Sequence, residues 1–331
     1  MNPRHPKIWA ESVSVSGKNS AQIFGWSRVR VGSVELSSPV MLASGTAGYG
    51  RELAAYLDLG ALGAVVTKSI AAFEWPGNPS PRLHPAGVGM INAVGLQGPG
   101  LTHWLNHELL DLIATGATVV ASIWGRSVDD YRRAARLLCD APPEVVAVEV
   151  NLSCPNLEGR RGIFAHDAVV SAEVMHATEA CRRPRWAKLS PNTDRVVEVA
   201  AAVHEAGAEA VTLINTVLGM VIDPVTLRPA LGVGGGGLSG HGIHPVAVRV
   251  VHDVHAALPD LPIVGVGGIS TGWDAVELML AGASAVQVGT ATFADPRAAA
   301  RIAAEMSEWA AEHDVAAIAD ITGRAHQRSH N

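Results

Sequence analysis

The sequence predicts an α/β fold of the (β/α)8 TIM-barrel type, a single domain with long loops at its C-terminal face. Three observations carry that prediction. Eight short apolar runs follow one another along the chain, Ala-rich stretches of helical period separate them, and glycine recurs where those stretches stop. Continuous apolar strands alternating with helices imply a parallel sheet covered on both faces. Eight such units are the number that closes a barrel. A doubly wound open sheet is the alternative that strand counting leaves standing.

Residues 1–27 are polar, carry Pro3 and Pro6 and show no period, so they read as an N-terminal arm. The barrel is expected over 28–315 and a C-terminal tail over 316–331. The strand candidates are 40–43, 64–67, 118–123, 145–150, 186–189, 210–214, 263–266 and 285–288. Helical periodicity places helices at 52–59, 128–138, 194–206, 245–257, 273–281 and 296–311. Gly60, Gly207 and Gly282 stand at or near the ends of three of them, where a left-handed residue closes the helix and glycine avoids the Cβ clash. Two connections, 69–115 and 215–244, are too long for simple turns. Long segments that follow barrel strands line the catalytic face.

Of the 331 residues, 48% are hydrophobic and 17% charged, which excludes a disordered chain. No run of ~18 apolar residues escapes a Gly, Pro or charge, so no membrane span is expected. A net charge of −6 argues against a nucleic-acid footprint, which needs clustered Lys and Arg. The three cysteines form no CxxC pair and follow no signal-peptide stretch, which reads as a reducing cytoplasm. Cys139 and Cys181 fall in helical spacing and read as small buried hydrophobes.

Polar residues stand directly after the strand candidates: Lys68 and Ser69, the segment Asn151-Leu152-Ser153-Cys154-Pro155-Asn156, Lys188, and Asn215 with Thr216. Cys154 reads either as a buried loop cysteine or as a general base or nucleophile, because a thiol titrates near pH ~8.5 and a modest shift makes it reactive. No histidine is spaced to activate it as in a cysteine protease, so the base role outranks covalent catalysis. A lysine ending a barrel strand is aimed at the mouth, where an anion offsets its desolvation; a stem snorkelling at the rim is the plainer alternative for Lys68 and Lys188. Glycines cluster at 234–240, 265–268 and 289–290, where bare amides near helix starts and after the seventh and eighth strands suit a phosphate, although turns also use glycine. Neither GxGxxG after a first strand nor GxxxxGK[ST] occurs. The 14 histidines include no HExxH, so no metal is expected; His241 and His244 are the one pair resembling ligands.

Taken together, these segments resemble the class 1 dihydroorotate dehydrogenases, and subgroup B among them, over roughly 29–293. The matching stretches are 43–46, 67–69, 77–82, 92–97, 151–156, 188–192, 214–216, 236–240 and 289–290. The resemblance implies an FMN-bearing barrel that oxidises dihydroorotate to orotate in pyrimidine (UMP) biosynthesis. Cys154 would take the C5 proton while hydride leaves C6 for flavin N5, with Lys188 near flavin N1 and O2. The substrate would meet Lys68, Asn92, Ala93, Val94, Gly95, Leu96, Asn151, Asn215 and Thr216. Ser44, Gly45, Lys68, Ser69, Asn151, Lys188, Ile214, Gly240, Gly267, Gly268, Gly289 and Thr290 would hold FMN. Amide side chains suit the pyrimidine because each offers a donor and an acceptor.

The resemblance also implies a separate electron-transfer subunit carrying FAD and an iron–sulfur cluster, NAD as acceptor, and a homodimer or heterotetramer. Departures stand at Gly98, where relatives usually have Asn, and at His241, Gly242 and His244, where they have Pro, a small apolar residue and Lys. Two other activities remain in view: a flavin oxidoreductase for another pyrimidine or enone, and a non-redox phosphate-binding barrel.

Overall fold

The computed structural model describes residues 28–87, 89–153, 155–156 and 162–327. The expected arm over 1–27, Cys154 and the last four residues of the expected tail lie outside the described residues. Eight parallel strands form the core: β1 (Val40–Leu42), β2 (Val65–Val66), β3 (Val119–Ile123), β4 (Val145–Asn151), β5 (Arg185–Lys188), β6 (Ala210–Leu213), β7 (Ile263–Val266) and β8 (Ala285–Val288). Each pairs with the next and β8 returns to β1, so the sheet is a closed barrel. Every residue of β1, β3, β7 and β8 is buried, because one face fills the barrel and the other meets helices.

Helices Val128–Leu138, Val196–Glu205, His244–Ala257, Gly272–Leu280 and Ala298–Glu312 stand within two residues of their expected bounds. Ser127 caps the first of these by accepting from Asp130 N, and Thr271 with Asp274 forms a reciprocal capping box on the fourth. Helix Ala168–Ala177 escaped the periodicity because apolar Val169 stands on its exposed face and polar Ser171 on its buried one; it buries Val170, Val174 and Met175, and Asp167 caps it. The helix expected at 52–59 is instead a 3-10 turn, Glu52–Ala55, followed by another, Leu59–Ala61. There Glu52 bonds back to the amides of Tyr49 and Gly50, and Asp58 accepts from Gly60 N, so side chains replace the helical ladder.

At the barrel's N-terminal end, the hairpin of Val29–Val31 and Val34–Leu36 buries alternate residues, and Ser33 N donates to Glu209 at 2.8 Å. At the other end, the two long connections pair with each other. Strands Val217–Gly219, Gly236–Ser239, Gly89–Asn92 and Leu83–Ala86 form a four-stranded antiparallel sheet in that order. The connection after β2 also holds helices Leu101–Asn106 and Glu108–Ile113. Past the last helix, Ile318 and Ile321 are buried against the core. Among the described residues, no helix is long and apolar enough to cross a membrane.

Candidate active site

A carboxylate sits inside the barrel. Glu149 on β4 is fully buried, and four other strands reach it: Ser122 Oγ donates at 3.3 Å, Thr212 Oγ1 at 3.1 Å, Gln287 Nε2 at 3.0 Å, and Lys188 Nζ stands at 3.7 Å. A side chain bonded from β3, β5, β6 and β8 at once can lie only in the interior. Lys188 itself is 5% exposed, so its charge is compensated by Glu149 rather than by water.

Above this pair a polar ladder climbs to the mouth. Ser122 spends its one proton on Glu149, so it accepts from Ser69 at 2.9 Å, and Ser69 in turn accepts from Ser44 at 3.3 Å and from Asn151 Nδ2 at 3.1 Å. Asn151 Oδ1 accepts from Ser153 N at 3.1 Å and from Asn215 Nδ2 at 3.5 Å, and Asn215 Oδ1 accepts from Thr216 N at 2.8 Å. Register fixes these neighbours, since Asn151 and Lys188 are Cα partners on adjacent strands, as are Lys188 and Thr212. Lys68 Nζ lies 3.9 Å from where Gly45 would carry a Cβ, at the same rim.

The 92–98 loop joins from the accessory sheet. Asn92 Nδ2 donates to Gly237 O at 3.1 Å, and Gly237 packs so tightly on Thr216 that a Cβ would stand 2.0 Å from its Oγ1. Asn92, Thr216 and Asn215 are thereby joined. Asn78 bonds the loop's Ala93 and Val94 carbonyls, Trp75 Nε1 bonds Gly95 O at 3.0 Å, and Leu96 is left-handed. Gly98 is buried under Tyr49, whose Oη lies 3.0 Å from the missing Cβ and donates to Gln97 O. Burial, then Glu108 and Glu52, push the Tyr49 phenol up to about 12, so it remains a neutral donor.

The glycine clusters divide by position. Gly236 and Gly237 belong to the accessory sheet, and Gly265 lies within β7 facing Leu278 and Ala283, so these serve packing. Gly267 and Gly268 follow β7 at φ +142° and +71°, and Gly289 with Thr290 follows the adjacent β8. A Cβ on Gly267 would meet Ala247 at 2.7 Å and Ile214 at 3.3 Å, and one on Gly268 would meet His244 N at 2.7 Å. The amides of Gly268, Ile269, Gly289 and Thr290 find no acceptor among the described residues, so their N–H groups stay available as donors. Gly240 precedes the 3-10 turn His241–Ile243 that opens the neighbouring helix. Nearby, Asp274 is held below the usual carboxylate range: burial opposes this, but Ser270, Thr271 and His244 outweigh it. Among the described residues no three His, Cys, Asp or Glu side chains are grouped to hold a metal ion.

The barrel thus brings together Ser44, Ser69, Asn151, Lys188, Asn215 and Thr216, with Asn92 alongside and the amide cradle after β7 and β8. Cys154 lies outside the described residues. Sequence reading missed Glu149, Ser122, Thr212 and Gln287, and also Asn192, whose amide links Ser190 and Thr216 O. Glu149 carried a signal, as the lone charge in the run 145–150.

Fold and site together define a (β/α)8 barrel with glycine-flanked backbone amides after its last two strands and an amide-rich, lysine-bearing mouth. The profile of the dihydroorotate dehydrogenase family matches residues 27–309, and the chain belongs to that flavin-dependent family. A Geobacter sulfurreducens protein named dihydroorotate dehydrogenase B (NAD(+)), catalytic subunit, is 43% identical over 296 residues, covering 89% of this chain and 96% of its own. A Desulforudis audaxviator protein of the same name is 44% identical over 300 residues, covering 90% and 97%. The crystal structure of an Eimeria tenella dihydroorotate dehydrogenase in complex with ferulenol matches with a TM-score of 0.73 at 22% identity, over 91% of this chain and 89% of that one, a likeness of fold.

Proposed function

We propose that this chain is the FMN-binding catalytic subunit of a class 1, subgroup B dihydroorotate dehydrogenase, oxidising (S)-dihydroorotate to orotate in de novo pyrimidine biosynthesis. The observation that carries the reading is the meeting at one mouth of Asn151, Asn215 and Lys188 with the acceptor-less amides after β7 and β8. Those amides fit a phosphate, and the buried Lys188 fits the electron-rich edge of a flavin, so the donor set supports FMN. FMN, when bound, supplies the hydride acceptor.

The protein's own groups do the rest. Gly267, Gly268, Gly289 and Thr290 hold the phosphate, while Ser44, Gly45, Ser69, Ile214 and Gly240 line the flavin. Asn92, Asn151 and Asn215 orient the pyrimidine through its amide edge, with the 93–96 loop over it. Lys68 and Thr216 face its carboxylate. Cys154 takes the C5 proton onto Sγ as the C5=C6 bond forms and hydride leaves C6. Lys188 stabilises the negative charge that reduction adds, and Glu149 keeps it in place.

The relatives' names support a separate electron-transfer subunit, bearing FAD and an iron–sulfur cluster and passing electrons to NAD. The chain's own Cys139, Cys154 and Cys181 are one short of a four-cysteine cluster. Exposed Val225 and Leu227, 87% and 78% accessible on the accessory-sheet side, support association as a homodimer or heterotetramer. The cysteine usage supports a cytoplasmic site of action. Anaerobic addition of dihydroorotate to the purified yellow protein should bleach the flavin; flavin that stays oxidised in protein that still binds orotate would refute the assignment.

A further inference from the structure

Two histidines lie behind the phosphate cradle. His244, at the start of helix His244–Ala257, is 4% exposed. Its Nδ1 is 2.9 Å from Gly267 O and its Nε2 is 3.1 Å from Glu277 Oε2. A carbonyl oxygen only accepts, so Nδ1 is the donor to Gly267 O. His241 repeats the contact one residue on, with Nδ1 3.2 Å from Gly268 O and 3.1 Å from Ser270 Oγ. The two rings are nearly parallel, at 10° and 6.0 Å between centroids.

We propose that His244, aided by His241, is a positioning residue that sets the phosphate cradle by holding the carbonyls of Gly267 and Gly268; this rests on the FMN reading above. In a trans peptide the C=O and N–H point in opposite directions. Holding Gly267 O toward His244 therefore turns Gly268 N–H away from the ring, and holding Gly268 O toward His241 does the same for Ile269 N–H. Those are two of the amides that lack an acceptor. Glycine restricts its own backbone least of all residues, so the Gly267–Gly268 pair does not select one peptide orientation by sterics. A flipped peptide would aim a carbonyl oxygen at the phosphate and repel it. Glu277 and the capping Asp274 fix the His244 ring from helix Gly272–Leu280, with Asp274 Oδ1 at 3.9 Å.

The test compares FMN with riboflavin, which lacks only the phosphate, by fluorescence titration of flavin-stripped full-length protein. In His244→Leu, FMN affinity should fall about tenfold, the scale of one lost hydrogen bond plus a misdirected amide, while riboflavin affinity holds. His244→Asn, whose Nδ2–H can stand where Nδ1–H stood, should recover most of the FMN affinity. The 31P shift of bound FMN should move in the Leu variant and return in the Asn variant. Equal losses for FMN and riboflavin, or unchanged FMN binding in His244→Leu, would overturn the proposal. The FMN reading is judged separately, by whether the wild-type chain prefers FMN to riboflavin at all.

Discussion

Replacing Lys188 by Met would leave Glu149 charged inside the barrel with its three neutral donors and no cation. The pair stands at 3.7 Å with both members essentially out of water. At an effective dielectric of about 20 that separation corresponds to about 4.5 kcal/mol of attraction. Removing one partner from a buried pair costs about 3–5 kcal/mol in general, so the two routes agree. Urea unfolding of flavin-free protein at neutral pH, which avoids ligand linkage, should show a loss of that size for Lys188→Met. Glu149→Gln should cost a similar amount by stranding the lysine. The double variant should cost far less than the sum, with a coupling of at least ~2 kcal/mol. Additive losses, or a loss under ~1 kcal/mol for Lys188→Met at unchanged m-value, would refute the view that the pair is a mutually dependent buried unit.

Gly268→Ala should cost about 2 kcal/mol or more, because a left-handed backbone combines with a Cβ 2.7 Å from His244 N; thermal melts with and without FMN would report it, and a neutral result would remove the cradle geometry. Burial, with help from His326 and His252, holds the His255 imidazole below its ordinary 6.5. The unfolded chain therefore binds more protons, and stability present above about pH 6.5 is lost as pH falls. The melting temperature should decline less steeply below that pH in His255→Gln than in the wild type, and an equal slope would count against it. Cys154→Ala should slow flavin reduction by dihydroorotate ~100-fold or more, measured by stopped flow; an unchanged rate would remove the cysteine from the mechanism.

Much of the barrel was legible because its strands are apolar on both faces, a pattern that needs no tertiary information. All eight runs became strands, and the paired connections 69–115 and 215–244 were already marked by length. Periodicity failed where polarity does not follow burial, as in Ala168–Ala177 with its exposed Val169 and buried Ser171, and where local side-chain bonds displaced a helix, as at Glu52 and Asp58. The site was legible as a set of polar residues after strand ends. What bonds those residues was not: Ser69 joins Ser122 across 53 positions, and Gln287 reaches Glu149 across 138.

The sequence by itself determined the alternation that closes the barrel and which strand ends carry amides, lysines and glycines, since both depend on local composition and order. Only the tertiary structure decided that Glu149 underlies Lys188, that Tyr49 covers Gly98, and that His241 and His244 hold the glycine carbonyls after β7. Those facts arise when a closed sheet brings distant strand ends within hydrogen-bonding distance, and no spacing along the chain encodes that closure residue by residue.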